Sequence, residues 1–477
     1  VAIAVLAYLV MLRPHPSQTP RAPRAATSPA PPWTPRERER AVAALRDAFA
    51  GSIGSGSRYS LVVLDAQGRT LYDACGACSV IPASVQKLIV ADAALQTFGP
   101  YHRSHTILAA RSGADQNGTI DGDLWLVGSG DPSLRFRDLE QGAESLRRQG
   151  VRAISGGVVV DTSAIAGPEI NPRWDPSDAG EDFQTATSAA TLDGDTVEFR
   201  VYGNAPGTPA RVAVVPPGGN VHVTGEIVTS SSADDVVIAP LAARNTFALG
   251  GAIPAGAEEK FWLPIHGIAR YTGDVLDAAL HAAGITVGTG PTVDRAPLES
   301  VVLWDHASPA LRQLIAHMLY FSDNHYAEQL MRMLGPEAGL AADDAGGIAA
   351  ERAFLQARNI PIDGVVLYDG SGLAQANRVS ALVLARVLSD ADLHGDGYAL
   401  YPLLPAGGRD GTLKHYDFTT ALGRVRAKTG HLSDAASLAG YLDTHGHGRI
   451  TFAFMINDSP GDPDAAYVRA LDRLAEF

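Results

Sequence analysis

Ser84 and Lys87 stand three residues apart in the stretch Pro82-Ala83-Ser84-Val85-Gln86-Lys87-Leu88-Ile89-Val90. Pro82 is placed to enter a helix, and Ala, Leu and Val follow at helical spacing through Leu95. A serine and a lysine three apart at a helix start share one face. Their surroundings are mostly apolar, so the lysine is partly desolvated. Desolvation lowers the pKa of an ammonium and brings a neutral, proton-accepting amine within reach. Such an amine beside a hydroxyl makes the hydroxyl a nucleophile. Taken alone, the pair has a plainer explanation: an N-cap serine followed by a surface lysine. Two more triplets change the balance. Ser322-Asp323-Asn324 falls in a loop between two predicted helices, and Lys428-Thr429-Gly430 falls just before a predicted strand pair. Each is a weak signal singly. In the order S-x-x-K, S-x-N, K-T-G, each in a fitting context, they are a strong one.

Other candidates carry less. Cys75-Gly76-Ala77-Cys78 holds the only two cysteines, and C-x-x-C can be a redox pair, half a metal site or a short-loop disulfide. Without a second cysteine pair or a βαβ pattern, the favoured reading is a surface loop, with a local disulfide if the chain is exported. Fourteen histidines include no H-E-x-x-H. His445-Gly446-His447 reads as a turn, and Gly128-Ser129-Gly130 lacks the spacing of a nucleotide fingerprint. Lys and Arg number 38 against 52 Asp and Glu, a net charge of −14 that argues against a nucleic-acid partner and gives no polybasic membrane patch. The hydrophobic share of 46% is that of a globular chain, and 477 residues suffice for two or three domains.

The elements that must position these residues are legible in outline. Residues 1–12 are all apolar, too short a run to span a bilayer, and fit the end of a signal peptide or N-terminal anchor. Residues 13–33 are rich in Pro, Ala, Ser and Thr and read as a linker. Thr34-Pro35 opens a helix with Ala41, Ala44, Leu45 and Phe49 on its apolar face. Leu61–Leu64 and Thr70–Tyr72 form a predicted hairpin. Glu140–Arg148 reads as a helix, Gly157–Val160 as a strand and Gly273–Ala283 as a helix, and 197–260 as a small all-β insertion. Leu311, Leu314, Ile315, Met318 and Leu319 mark a helix with one buried face; a second runs through Met333. Ser437–Asp443 and Arg449–Ile456 are a predicted strand pair, and Pro463 to Glu476 a last helix.

The three ordered motifs make the chain resemble the serine penicillin-recognising enzymes. Four longer stretches narrow this to the D-alanyl-D-alanine carboxypeptidases of the low-molecular-mass class C type, peptidase family S13. They are Pro82–Leu88, Gly122-Asp123-Leu124-Trp125-Leu126-Val127-Gly128-Ser129-Gly130-Asp131-Pro132, Asp369-Gly370-Ser371-Gly372-Leu373, and Gly408-Arg409-Asp410-Gly411-Thr412-Leu413. The resemblance implies an α/β transpeptidase-like catalytic domain, an antiparallel sheet flanked by helices, built from 34–100 and 304–477. The long separation of Ser84 from Ser322 leaves room for two inserted domains: an α/β domain II from 101–196 and 261–303, and the β-rich domain III from 197–260.

The resemblance also implies an exported hydrolase acting on peptidoglycan stem peptides ending in D-Ala-D-Ala, with β-lactams as inhibitors. It implies no metal or cofactor, and membrane contact only through an N-terminal anchor. Ser84 attacks the penultimate D-alanine carbonyl, Lys87 is the base, Ser322 relays the proton and Asn324 holds Lys87 and the substrate amide. Lys428 and Thr429 meet the terminal carboxylate, and the amides of Ser84 and of His431, after Gly430, form the oxyanion hole. His431 departs from the Ser or Thr common there. Phe183 replaces a tyrosine in the segment from Trp174, where the family offers an aromatic-rich wall to the stem peptide. Arg378 lies near the mouth in the family pattern, to meet an acidic side chain or simply be solvated. A DD-endopeptidase would use the same site on a larger substrate; a non-catalytic penicillin-binding sensor would not need all five of Ser84, Lys87, Ser322, Asn324 and Lys428.

Overall fold

Alternation of side chains along five strands sets the core of the part that carries all three motifs. The computed structural model describes residues 31–392 and 398–477, so the leader-like residues 1–12 and most of the proposed linker lie outside the described residues. The chain divides into two compact units, one from 103–170 and 176–309, the other from the remainder.

In the second unit, strands β1 (Arg58–Leu64), β2 (Thr70–Ala74), β3 (Val425–Leu432), β4 (Ala435–Asp443) and β5 (Arg449–Asn457) pair antiparallel in the order β3-β4-β5-β1-β2. Both chain ends therefore contribute to one sheet, as expected. Leu61, Val63, Leu438, Leu442, Phe452 and Phe454 point to one face, where helices α1 (Pro35–Phe49) and α7 (Pro463–Ala475) pack with Leu45, Phe49, Tyr467 and Leu471. Val62, Leu64, Ala439, Tyr441, Ala453 and Met455 point to the other. There they meet α2 (Lys87–Phe98), α3 (Leu311–Phe321), α4 (Asn324–Glu337), α5 (Asp344–Ala357) and α6 (Ala381–Asp392). Each fully buried Leu or Phe contributes about 1.5–3 kcal/mol. The predicted Thr34 cap is present as a reciprocal box with Glu37, a motif worth about 1 kcal/mol.

Three local readings need correction. Ser84 is not on an α-helix. Ala83–Gln86 is one 3₁₀ turn, entered with Ala83 at φ 50°, and α2 begins only at Lys87. Residues three apart eclipse in a 3₁₀ turn, so the Ser84–Lys87 pairing is tighter for it. Lys428-Thr429-Gly430 does precede the predicted pair, β4 and β5, but it lies within a further strand that was not foreseen, β3 at the sheet edge. Helices α5 and α6 were not foreseen. Cys75 and Cys78 do form a disulfide, in the loop after β2.

The first unit is built on a mixed sheet in the order Thr286–Val293, Ala153–Asp161, Leu124–Val127, His105–Ala110, Val301–Ala307. Helices Phe136–Arg148 and Ile268–Ala282 cover it through Leu139, Leu146, Val275 and Leu276. Both helices begin four or five residues before the predicted starts. The stretch from Thr196 to Pro264 holds eight strands in small sheets of two or three.

Candidate active site

The 3₁₀ turn, α3, α4 and β3 bring the three motifs together within the second unit. Lys87 is fully buried, and its Nζ lies 2.9 Å from Ser84 Oγ, 2.7 Å from Asn324 Oδ1 and 2.8 Å from the Ser371 carbonyl oxygen. Burial lowers the Lys87 amine to about 8, against the opposing pull of Asp369, Glu328 and Asp323. The last two Lys87 partners are acceptors only, so a neutral amine gives them both its N–H groups and turns its lone pair to Ser84.

Ser322 ends α3 in the left-handed region at φ 61°, an uncommon state for a residue with a Cβ. Its hydroxyl is 2.8 Å from Lys428 Nζ, which also donates to the Thr429 carbonyl at 2.6 Å. Asp323 caps α4 by accepting from Tyr326 N, which sets Asn324 on the first turn of that helix. Lys428 is fully buried; burial first, then the charge of Lys87, push its amine well below the usual lysine range.

Strand β3 is clamped onto the nucleophile turn. Ser437 Oγ, on β4, donates to the carbonyls of Pro82 (2.7 Å) and Gly430 (3.1 Å). A Cβ on Gly430 would lie 2.8 Å from the Ser84 amide nitrogen and 2.3 Å from Ser437 Oγ. The hydroxyl can rotate away; the backbone nitrogen cannot. Gly430→Ala should therefore slow acylation by penicillin roughly a hundredfold, as an ångström-scale misplacement does. Stopped-flow rates beside a thermal melt check this, and a rate within twofold of wild type would show that β3 and Ser84 have slack between them.

Thr429 Oγ1 is 2.8 Å from Thr412 Oγ1. His431 is half-exposed, and its imidazole Nε2 is 2.8 Å from Asp464 Oδ2, which belongs to α7. Burial works to raise the Asp464 carboxyl, but His431 and the Tyr416 hydroxyl outweigh it and hold it low. Arg378 makes an isolated bridge with Val366, and its Nη1 donates to the carbonyls of Gln375 and Asn377, so its described contacts hold its own loop. Trp174, expected in an open aromatic wall, is buried, with its indole N–H donated to Asp369 Oδ2 at 2.9 Å. Ser371, Glu328, Asp369 and Ser437 were not singled out by sequence reasoning. The Asp369–Leu373 stretch was noticed as a marker of resemblance, which was the available signal for two of them.

A serine hydroxyl within hydrogen-bond reach of a buried lysine, and a second buried lysine on the sheet edge, fit one class: a serine enzyme of the penicillin-recognising fold. The chain belongs to the D-Ala-D-Ala carboxypeptidase 3 (S13) family, whose profile matches residues 44–476. It is thus a serine-type D-Ala-D-Ala carboxypeptidase. It is 32% identical over 443 residues to the D-alanyl-D-alanine carboxypeptidase of Actinomadura sp. (strain R39), covering 88% of this chain and 82% of the relative. It is 27% identical over 418 residues to D-alanyl-D-alanine carboxypeptidase DacB of Haemophilus influenzae, covering 85% and 86%. The crystal structure of penicillin binding protein 4 from H. influenzae superposes with a TM-score of 0.77 at 25% identity, covering 91% of this chain and 99% of that one.

Proposed function

We propose that the chain releases the terminal D-alanine from peptidoglycan stem peptides through an acyl-enzyme on Ser84, and that β-lactams acylate the same oxygen. The observation that carries this is the Lys87 amine, 2.9 Å from Ser84 Oγ with two acceptor-only oxygens on its other sides. Lys87 takes the Ser84 proton as the oxygen attacks the penultimate carbonyl. The oxyanion is met by the amides of Ser84 and His431. Ser322, within reach of Lys428, returns a proton to the leaving amine, and Asn324 holds Lys87 and the substrate amide. Water then frees the acyl group. The β-lactam part is supported by a further H. influenzae penicillin binding protein 4 structure, complexed with a β-lactam, at TM-score 0.70 and 25% identity.

Lys428 is assigned to the substrate's terminal carboxylate. Two of its three ammonium N–H groups go to Ser322 and the Thr429 carbonyl. The charges that act on it come from Lys87, not from an acid, so an incoming carboxylate supplies the counter-ion. In this reading Thr429 shares that carboxylate, and Arg378 is kept as a candidate contact for an acidic side chain of the stem.

Peptidoglycan lies outside the cytoplasm, so the chain works there, and the Cys75–Cys78 disulfide suits an oxidising compartment. Delivery by the apolar residues 1–12 belongs to this proposal; among the described residues no helix is long and apolar enough to cross a membrane.

Purified muropeptides with mass analysis of products test the reading. Free D-alanine from pentapeptide stems is the expected product. Cleavage of cross-linked dimers instead would make the chain an endopeptidase, and no product a sensor. A stem with an amidated C-terminus adds a second arm. Charge-assisted contacts contribute roughly 1.5–3 kcal/mol, so wild type should favour the free carboxylate by one to two powers of ten. Lys428→Ala should lose most of that preference; keeping it would move the anchor elsewhere.

A further inference from the structure

Behind the Lys87 amine runs the loop Asp369–Leu373, and the loop meets the amine through the Ser371 carbonyl. A carbonyl on a loop is a poor fixed point unless something holds the loop. Two buried carboxylates do. Asp369 accepts from Trp174 Nε1, Gly372 N, Ala374 N and Asn377 Nδ2 at 2.6–2.9 Å, and its carbonyl oxygen takes the Gln86 side-chain amide. Glu328 sits on the other side. Its Oε1 accepts from Ser371 N at 2.8 Å and Gly370 N at 3.1 Å, and its Oε2 is 3.2 Å from Gly370 N. The loop is also pressed down sterically. A Cβ at Gly370 would come within 2.8 Å of the Ala327 carbonyl, and one at Gly372 within 2.0 Å of the Ala83 carbonyl.

Glu328 and Asn324 are one turn apart on α4 and share a face. That face governs both oxygens that take Lys87 protons: Asn324 Oδ1 directly, the Ser371 carbonyl through the amides of Gly370 and Ser371. We propose that Glu328 is a positioning residue for acylation, anchoring the Gly370–Ser371 amides so that the Ser371 carbonyl fixes the Lys87 amine with its lone pair toward Ser84. Glu328 touches neither substrate nor nucleophile. The inference rests on the acyl-enzyme reading given above.

The groups facing Lys87 are Asp369 on the loop, Glu328 and Asp323 on α4 and its cap, and Lys428 on β3. Those facing Glu328 are Asp369, Asp344 at the start of α5, and Glu351 further along α5; Arg332, the next turn of α4, is paired with Asp344 at 2.6 Å. The three acids around Lys87 favour its protonated form, opposing burial. Burial first, then the charge of Asp369, raise the Glu328 carboxyl to about 8, so below that pH it is neutral and acts on the loop through its hydrogen bonds rather than through charge.

Two variants separate positioning from mere support. Glu328→Ala removes both acceptors and should lower the penicillin acylation rate constant roughly ten- to a hundredfold, with little change in the dissociation constant of the non-covalent complex. Glu328→Gln keeps an oxygen under the loop, as the neutral carboxyl does below pH 8, and should restore the plateau to within about fivefold of wild type there. Where Glu328→Ala does not fold, Glu328→Asp, which draws the acceptor back by one methylene, should lower the rate constant about tenfold in its place. Glu328→Ala, or Glu328→Asp in its place, acylating at the wild-type rate overturns the proposal, as does a Glu328→Gln protein as slow as Glu328→Ala. Peptide mapping of the label keeps the two readings apart. A wild-type protein not labelled on Ser84 sinks the acyl-enzyme reading; labelling on Ser84 at a rate indifferent to residue 328 sinks only this one.

Discussion

Ser84→Ala abolishes covalent labelling by fluorescent penicillin and release of D-alanine, and leaves the fold intact. The loss should exceed about four powers of ten, on the scale of nucleophile removal in other serine hydrolases. The fold should persist because Ser84 is only partly buried and the Lys87 amine retains Asn324 Oδ1 and the Ser371 carbonyl. The backbone amide at position 84, proposed above for the oxyanion hole, also survives. A residual rate above solution should therefore persist for activated esters, but no stable adduct forms without Oγ. Gel fluorescence and intact mass measure the adduct, and a thermal melt certifies the protein. A labelled Ser84→Ala protein would place the nucleophile at another residue.

The motifs were legible because side-chain chemistry and spacing survive in one dimension. Five strands and most helices followed from period and caps, as at Thr34-Pro35. What failed had identifiable causes. The 3₁₀ turn at Ala83–Gln86 and the following helix share a spacing of three at Ser84 and Lys87, so period could not separate them. Helix α5 carries Gly346 and Gly347, which weaken a helical pattern. Both are needed for packing: a Cβ at Gly346 would lie 2.0 Å from the Ala341 carbonyl, and one at Gly347 2.5 Å from that of Met331. Ser371 acts through its carbonyl, which every residue has, so no residue type could announce it. Glu328 and Asp369 look like surface acids in sequence; only tertiary structure buries them under one loop. His431 was placed by its neighbours in sequence, but its partner Asp464 comes from the last helix.

Lys87→Met slows acylation by about 10²–10⁴-fold, the usual contribution of a general base, without unfolding the protein. The stability argument is the less obvious half. Burial holds the Lys87 amine near 8 in the folded chain, against 10.5 when exposed. Below pH 8 both states carry the proton, and the fold bears the cost of a buried charge, on the order of 3 kcal/mol. Between about 8 and 10.5 the unfolded chain binds more protons than the folded one, so that cost fades and wild-type stability rises with pH. Methionine fills the space without a charge. It gives up contacts to Asn324 Oδ1 and the Ser371 carbonyl, each worth about 1–3 kcal/mol once left unmet. The two effects nearly offset at neutral pH. At alkaline pH only the loss remains. The melting temperature of Lys87→Met should therefore stay close to wild type near pH 7 and fall behind it by pH 10. Stopped-flow acylation and melts at both pH values test the two halves together. A variant acylating at the wild-type rate would remove Lys87 as the base. A variant that fails to fold at pH 7 would make the lysine a structural residue whose nearness to Ser84 is incidental.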